Sequence, residues 1–201
     1  KIDRDGVGSL AGQSGFQVIG SALTKSRGIE YGEIVSMPET ERAIRTALQS
    51  AQKLANSRVD HVIACISGGS PRSYGLEGNV NIKSEIVDDR DIADVLGSCG
   101  IPAYEPDREI LHAQPVNFSL DHRTGLSDPR GQIGKNLSVD MHMLTIKEKT
   151  IQDLAYCIKR CDLELAGVAS SSYVSALSSL VEDEKELGAA CIDLGGGSTN
   201  I

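Results

Sequence analysis

Apolar side chains recur at helical spacing in two long segments of the chain. In residues 41–56 they follow one another at intervals of three and four, which is the period of an amphipathic helix. The preceding Met37-Pro38-Glu39 favours a helix start, because proline fits the first turn and an acid there interacts favourably with the helix dipole. Residues 147–161 show the same spacing. Both segments are predicted to be helices that bury one face.

Shorter apolar runs predict strands. Residues 59–66 and 189–194 are nearly all apolar and too short for another helix, which is typical of strands buried on both faces. Residues 15–23 and 163–169 are predicted as further strands, and the Ser-rich residues 170–180 as a short helix. A helix that leads into a buried strand indicates an α/β fold.

The pattern changes in the middle of the chain. Residues 74–82, 109–120 and 137–143 alternate apolar with polar or small side chains, as strands with one face in water do. Pro115 predicts an edge or a bulge in the second of these strands, because proline has no N–H to donate. Asp88 precedes apolar residues at helical spacing, which predicts a capped helix.

This change of pattern predicts how the chain is divided. Residues 70–146 are expected to form a small inserted α+β subdomain, made of a strand, a helix and two more strands. Residues 1–69 and 147–201 are expected to form the two parts of a larger α/β subdomain around it.

The charge and the cysteines of the chain limit its partners. It has 20 basic and 28 acidic residues, a net charge of −8 and no stripe of Lys or Arg, so binding of nucleic acid is not expected. No apolar run in the sequence is long enough to cross a bilayer. The five cysteines are an odd number and lie mostly in apolar segments, which fits reduced thiols in the cytosol better than a disulfide framework.

Several groups of polar residues have an ordinary structural interpretation. Cys157 and Cys161 are spaced to share a metal, but no second Cys or His pair has ligand spacing, so core packing is favoured. The serine triplet that begins at Ser170 lacks the sequence frame of a nucleophile and is expected to start a helix. The acids around Asp88 are expected to cap a helix. The four histidines are interpreted as structural or surface residues.

The last segment of the chain carries the strongest chemical signal. After a solvated turn at residues 182–186, the predicted strand at 189–194 has an acid near its carboxyl end and is followed by glycines and hydroxyls: Asp193, then Gly195, Gly196, Gly197, Ser198 and Thr199. Glycines let the backbone approach another group and let consecutive N–H donors point into one concavity that suits an anion. Ser198 and Thr199 add hydroxyl donors, and Asp193 is placed to hold Mg²⁺ through water. The segment therefore predicts a phosphate-binding turn.

Other interpretations of the glycines are open. A glycine triplet after a strand is, taken alone, as often a flexible loop as a ligand site. The order of residues fits neither the dinucleotide pattern nor the phosphate loop that ends in Gly-Lys-Ser/Thr. It resembles the second phosphate motif of the actin, Hsp70 and sugar-kinase superfamily, in which two such turns hold ATP from opposite sides. Ser67-Gly68-Gly69 is a weaker candidate, since Pro71 and a strand follow and a crossing between two lobes is favoured.

Several blocks of the sequence together resemble the FtsA family of bacterial cell-division proteins. The resemblance runs from about Gly15 to the end, and its most specific block is residues 111–121. Ser67-Gly68-Gly69 resembles the turn that leads into the family's inserted subdomain, and residues 182–188 resemble its approach to the nucleotide. The other matching positions are Gly125, Pro129, Arg130, Gly131, Gly134, Leu137 and His142.

The resemblance implies an actin-like (ribonuclease H-like) nucleotide-binding domain with an inserted SHS2-like subdomain. It implies a protein that binds ATP and Mg²⁺ with weak ATPase activity at most, polymerises, and links the FtsZ ring to the inner face of the cytoplasmic membrane at the division site. FtsZ, later division proteins, and the membrane through a C-terminal helix are the implied partners. No catalytic residue is identified. Carried over by position, the residues that face the phosphates are Gly195, Gly196, Gly197, Ser198 and Thr199, with Asp193 near the metal.

The chain is also expected to be a piece of a longer protein. The family's first phosphate turn would precede Lys1, and the adenine site and the membrane helix would follow Ile201. By itself the chain is expected to bind ATP poorly or not at all. Another ATPase of the actin superfamily is the alternative, either a pilus-assembly protein of the PilM type or a chaperone of the Hsp70 type. The inserted block argues against Hsp70.

Overall fold

The structure is a computed structural model that describes residues 17–100 and 106–201. The chain divides into two compact units. The first unit consists of residues up to 69 and residues 149–201, and the second consists of residues 70–148.

The elements follow one another as helices and mostly short strands. In chain order they are β1 (Ile29–Glu30), β2 (Glu33–Ile34), α1 (Met37–Ala55), β3 (His61–Ile66), β4 (Arg72–Asn81), α2 (Asp89–Ser98), β5 (Arg108–Leu120), β6 (Arg123–Leu126), β7 (Asn136–Lys147), α3 (Glu148–Arg160), β8 (Glu164–Ser170), α4 (Ser171–Ser179), α5 (Glu182–Leu187), β9 (Asp193–Leu194) and β10 (Thr199–Asn200). The helices predicted from the apolar spacing at residues 41–56 and 147–161 are confirmed as α1 and α3.

The first unit is built on a parallel pair of strands. β3 pairs with β8 in parallel, with Ile66 opposite Ser170. The apolar faces of α1 and α3 and one face of these strands form a single core, because each element has one apolar side to remove from water. Its members include Ile44, Leu48, Val62, Leu154, Ile158, Cys161, Leu163 and Leu165.

Three expectations about burial and strands in this unit are wrong. β3 is not buried on both faces: Ile63 is 74% exposed, because the core covers only the other face. Residues 189–194 form a strand only at Asp193–Leu194, and the Leu194 side chain is 78% exposed, because β9 pairs only with β10 among the described residues. Residues 18–23 have no strand structure, while residues 15 and 16 of that prediction lie outside the described part of the chain.

The predicted solvated turn at residues 182–186 is instead helical. α5 spans Glu182–Leu187, and the Glu184 carboxylate accepts a hydrogen bond from the Val181 N–H at 3.0 Å. Lys185 donates to Glu182 at 2.7 Å. A carboxylate that satisfies a free N–H at the start of a helix offsets the lack of an apolar face.

The second unit is a four-stranded antiparallel sheet in the order β4-β7-β5-β6, with α2 packed on one face. The predicted strands are confirmed as β4, β5 and β7, and the register of β5 shifts between Pro115 and Asn117, as expected for a bulge. The sequence did not predict β6. Four apolar residues of its core are only 0–1% exposed: Val95, Leu120, Leu137 and Val139.

The predicted cap of α2 is also confirmed. Asp88 accepts hydrogen bonds from the N–H groups of Arg90 at 2.8 Å and Asp91 at 3.0 Å. Asp91 accepts in return from the Asp88 N–H at 3.0 Å. These backbone hydrogen bonds lower the pKa of Asp88, because they stabilise the ionised carboxylate.

Cys157 of α3 and Cys161, the residue directly after that helix, lie in the core of the first unit. Cys157 is 0% and Cys161 is 2% exposed. Burial is the main cause that raises the pKa of Cys157 to about 11, so the neutral thiol is the stable form there. Within residues 17–100 and 106–201, no group of three His, Cys, Asp or Glu side chains is arranged to hold a metal. None of the helices in these ranges has the length and apolar character needed to span a bilayer.

Acid is expected to destabilise the second unit through His112 of β5. Burial, and secondarily the charge of His142, lower the pKa of His112, so the fold favours the neutral imidazole. This contribution to stability is complete above about pH 6.5, the pKa of the unfolded histidine, and is lost as the pH falls from there through the lower pKa of the folded state. Urea unfolding, followed by hydrogen exchange in β5 and β7, should show lower stability at about pH 5 than at about pH 7.5.

The variant His112→Gln should remove part of this difference, because glutamine does not titrate. His122→Gln is the matched control, since His122 lies exposed in the turn between β5 and β6, and it should leave the difference unchanged. An equal acid sensitivity in His112→Gln and in the unmodified protein would contradict the assignment.

Candidate functional site

The predicted phosphate turn is the tip of a short hairpin. β9 and β10 pair antiparallel, with Leu194 opposite Thr199 and Asp193 opposite Asn200. The Gly195 N–H donates to the Ser198 carbonyl at 2.9 Å and closes the turn. The chain therefore reverses direction over residues 195–198, as the sequence predicts.

The glycines of this turn provide space. None of them has a positive φ, so the turn does not use the left-handed conformation that glycine allows. A β-carbon on Gly195 would lie 2.9 Å from the Ser198 carbonyl oxygen, and one on Gly197 would lie 3.6 Å from the Tyr31 nitrogen. A β-carbon on Gly196 would meet nothing within 4 Å. Gly196 therefore faces open space, while its two neighbours allow close approach of other backbone atoms.

The turn opens onto a cavity of the first unit. The cavity volume is about 720 Å³, within the range of 300–1,000 Å³ that is usual for small-molecule and cofactor sites. Backbone and small polar side chains form most of its wall. The lining residues are Ser26, Ile29, Glu30, Tyr31, Gly32, Ser67, Gly195, Gly196, Gly197 and Ser198.

The opposite wall is the β1–β2 hairpin, and backbone contact fixes its tip. A β-carbon on Gly32 would lie 2.5 Å from the Gly68 nitrogen, and one on Gly68 would lie 2.6 Å from the Gly32 carbonyl. Gly32 has φ +77°, and Tyr31 has φ 51°, a left-handed conformation that is uncommon for an aromatic residue. Two backbones can touch in this way only where neither has a side chain.

The base of the same hairpin is attached to α1. The Gly28 carbonyl accepts hydrogen bonds from the Val35 N–H at 2.8 Å and from the Thr40 hydroxyl at 3.1 Å. Thr40 is 1% exposed, so these bonds are shielded from water. Contacts at its base and at its tip thus hold the hairpin beside the cavity.

The cavity lies where parallel strands end. Ser67 directly follows β3, and β8 ends at Ser170, opposite Ile66. The carboxyl edge of parallel strands is the usual place for ligands in open α/β sheets. The Asn200 amide donates to the Ser171 hydroxyl at 3.5 Å, which connects β10 to the start of α4 at this edge.

The structure separates the predicted site residues into two groups. Gly195, Gly196, Gly197 and Ser198 line the cavity, whereas Asp193 and Thr199 lie in the paired strands next to the turn and are not among its lining residues. Their roles towards phosphate and metal stay predictions.

Sequence reasoning missed six of the lining residues: Ser26, Ile29, Glu30, Tyr31, Gly32 and Ser67. For Ser67 a signal was present in Ser67-Gly68-Gly69, which was assigned to a crossing. The turn does lie at the boundary between the two units, but it also forms part of the cavity wall.

The electrostatic character of the cavity is unusual for an anion site. No Lys or Arg is found among the described residues that line it, and Glu30 is their one carboxylate. A polyphosphate at this place would therefore depend on main-chain N–H groups, on hydroxyls and on a cation that comes with the ligand.

Comparison with known proteins defines the class of protein. Residues 68–145 match the family described as the SHS2 domain inserted in FtsA. Among solved structures, the chain is similar to the PilM-PilN type IV pilus biogenesis complex, with a TM-score of 0.51 over 85% of this chain and 45% of that chain. The sequence identity is 10%, so this likeness concerns the fold alone. The fold is actin-like, with an inserted SHS2 unit.

Curated relatives identify the family. The chain is 37% identical to the cell division protein FtsA of Rhizobium meliloti over 92% of this chain and 42% of that protein. It is 32% identical to the FtsA of Pseudomonas aeruginosa over 97% of this chain and 47% of that protein. It is 25% identical to the FtsA of Escherichia coli over 97% of this chain and 46% of that protein. The chain belongs to the FtsA family, and it spans less than half the length of these relatives.

Substitutions of Gly68 and Gly196 should have different effects on stability. Gly68→Ala places a methyl group into the Gly32 backbone, and such overpacking costs about 1–3 kcal/mol. Gly196→Ala points into open space and should leave the free energy of unfolding within about 0.5 kcal/mol of the original value. Urea unfolding of both variants measures the difference. Equal stability of the two variants would show that the hairpin tip does not contact Gly68.

Proposed function

We propose that the full-length protein that contains this chain is an actin-like cell-division protein that binds Mg-ATP between the turn at residues 195–198 and the β1–β2 hairpin. The observation that carries this proposal is the turn itself: it opens onto a cavity of about 720 Å³, and Gly196 has no neighbour within 4 Å of its absent side chain. A phosphate group can approach the backbone closely only at such a position.

The residues of the chain have separate roles in this proposal. The backbone of Gly195, Gly196 and Gly197 approaches the phosphates, and the hydroxyls of Ser198 and Thr199 donate to their oxygens. Asp193 acts near Mg²⁺. The cation supplies the positive charge that is missing from the described lining residues. Neither a catalytic base nor more than weak ATP hydrolysis is part of the proposal.

The wider role proposed is that of a filament-forming adaptor. The protein polymerises and links the FtsZ ring to the inner face of the cytoplasmic membrane through a C-terminal helix. The names of the curated relatives and the SHS2 match at residues 68–145 support it. The SHS2 match also favours an FtsA role over a chaperone role, while the PilM likeness supports only the fold.

The site is tested with Gly196→Val in the full-length protein. The branched side chain occupies the space through which the phosphate approaches, so the affinity for Mg-ATP should fall by about tenfold or more. Equilibrium binding of ATP measures this loss. Gly75→Val is the matched control, because Gly75 also has no neighbour within 4 Å and lies exposed in β4. It should bind ATP normally, and unchanged affinity in Gly196→Val would reject the site.

The adaptor role is tested by removing residues 70–146. The second unit begins and ends on adjacent strands, with Arg72 opposite Thr145, so a short linker can join the cut ends. We expect the shortened protein to bind Mg-ATP but to lose assembly on liposomes and co-sedimentation with FtsZ, because this unit is proposed to carry a polymer contact. A folded, shortened protein that still assembles would refute that contact.

A further inference from the structure

Glu30 has a special position in the candidate site. It is the one carboxylate among the described residues that line the cavity, and no Lys or Arg accompanies it there. A polyphosphate without a metal would meet one more negative charge and no cationic side chain at this wall. An acid in this position therefore opposes binding of the free anion.

The hairpin geometry keeps Glu30 at the wall. Glu30 precedes Tyr31, whose left-handed backbone leads into the Gly32–Gly68 contact. Glu30 also pairs with Glu33 across the hairpin. The backbone of Glu30 therefore stays at this wall unless the tip or the strand pairing changes.

A divalent cation reverses the sign of this interaction. Mg²⁺ binds oxygen ligands, keeps several of its waters, and is commonly held by one or two carboxylates together with the phosphates of a substrate. A carboxylate beside the cavity can accept hydrogen bonds from waters of the cation. The same charge that repels a bare polyphosphate then favours the metal complex.

Asp193 is placed less directly for this role. Its backbone pairs with Asn200 in the β9–β10 hairpin, and it is not among the residues that line the cavity. The two acids thus differ in one respect: Glu30 is among the residues that line the cavity proposed for the ligand, and Asp193 is not, so both can act near the metal but Glu30 is the one at the cavity wall.

We propose that Glu30 holds the Mg²⁺ of the bound nucleotide through water, and that it thereby makes nucleotide binding dependent on a divalent cation. This inference rests on the proposed binding of ATP at residues 195–198. It assigns to the β1–β2 hairpin the selection of the metal complex over the free nucleotide.

The experiment compares ATP binding by the full-length protein in Mg²⁺ and in EDTA. For the unmodified protein, removal of Mg²⁺ should weaken binding strongly. In Glu30→Gln, the affinity in EDTA should rise and the affinity in Mg²⁺ should fall, so that the ratio of the two shrinks by about tenfold. Direct equilibrium binding is the readout, with circular dichroism to show that the variant is folded.

Glu33→Gln is the matched control, because it removes the same charge from the partner strand at a residue that does not line the cavity. It should preserve the Mg²⁺ dependence. If Glu33→Gln reduced the Mg²⁺ dependence of ATP binding as much as Glu30→Gln does, the proposal would be overturned in favour of a general charge effect. If Asp193→Asn reduced the Mg²⁺ dependence of ATP binding and Glu30→Gln did not, Asp193 and not Glu30 would be the residue that holds the metal.

Two further outcomes separate this inference from the one on which it rests. If the unmodified protein binds Mg-ATP and Gly196→Val does not, but Glu30→Gln keeps the full Mg²⁺ dependence, the role of Glu30 fails and the nucleotide site stands. If the unmodified protein binds no ATP in either condition, both proposals fail.

Discussion

The contact between the backbones of Gly32 and Gly68 is the constraint on which the candidate site depends. Because neither residue has a side chain, the tip of the β1–β2 hairpin reaches the turn that follows β3. This approach places Tyr31 beside Gly197 and forms the second wall of the cavity. With a larger residue at either position, the glycine turn at 195–198 would lose the surface that it faces.

The site therefore relies on backbone geometry more than on charged side chains. Most of its lining residues are glycine or serine, and Glu30 is the one carboxylate among those that the structure describes. In the proposed function, a polyphosphate that binds beside this acid brings a cation with it, because the cation offsets the repulsion between the two negative charges. In the proposed function the metal is thus an integral part of the ligand.

Elements with a strong local signal were predictable from the sequence. The apolar spacing in α1 and α3 and the Asp88 cap of α2 depend on residues a few positions apart. The burial of β3 was not predictable, because it depends on whether anything covers the face that carries Ile63. The turn at residues 195–198 was found from the order of its residues, in which an apolar run and Asp193 precede three glycines, Ser198 and Thr199. Tyr31 and Ser67 were missed, because their place at the cavity results from a contact between segments distant in the sequence.

The antiparallel pairing of Arg72 with Thr145 has a consequence for the history of the fold. The two points at which the second unit is joined to the first lie side by side on neighbouring strands. A gene segment that encodes such a unit can enter, leave or be replaced without cutting the β3–β8 ladder. Related chains can therefore differ in this unit while they keep the same pairing of β3 with β8.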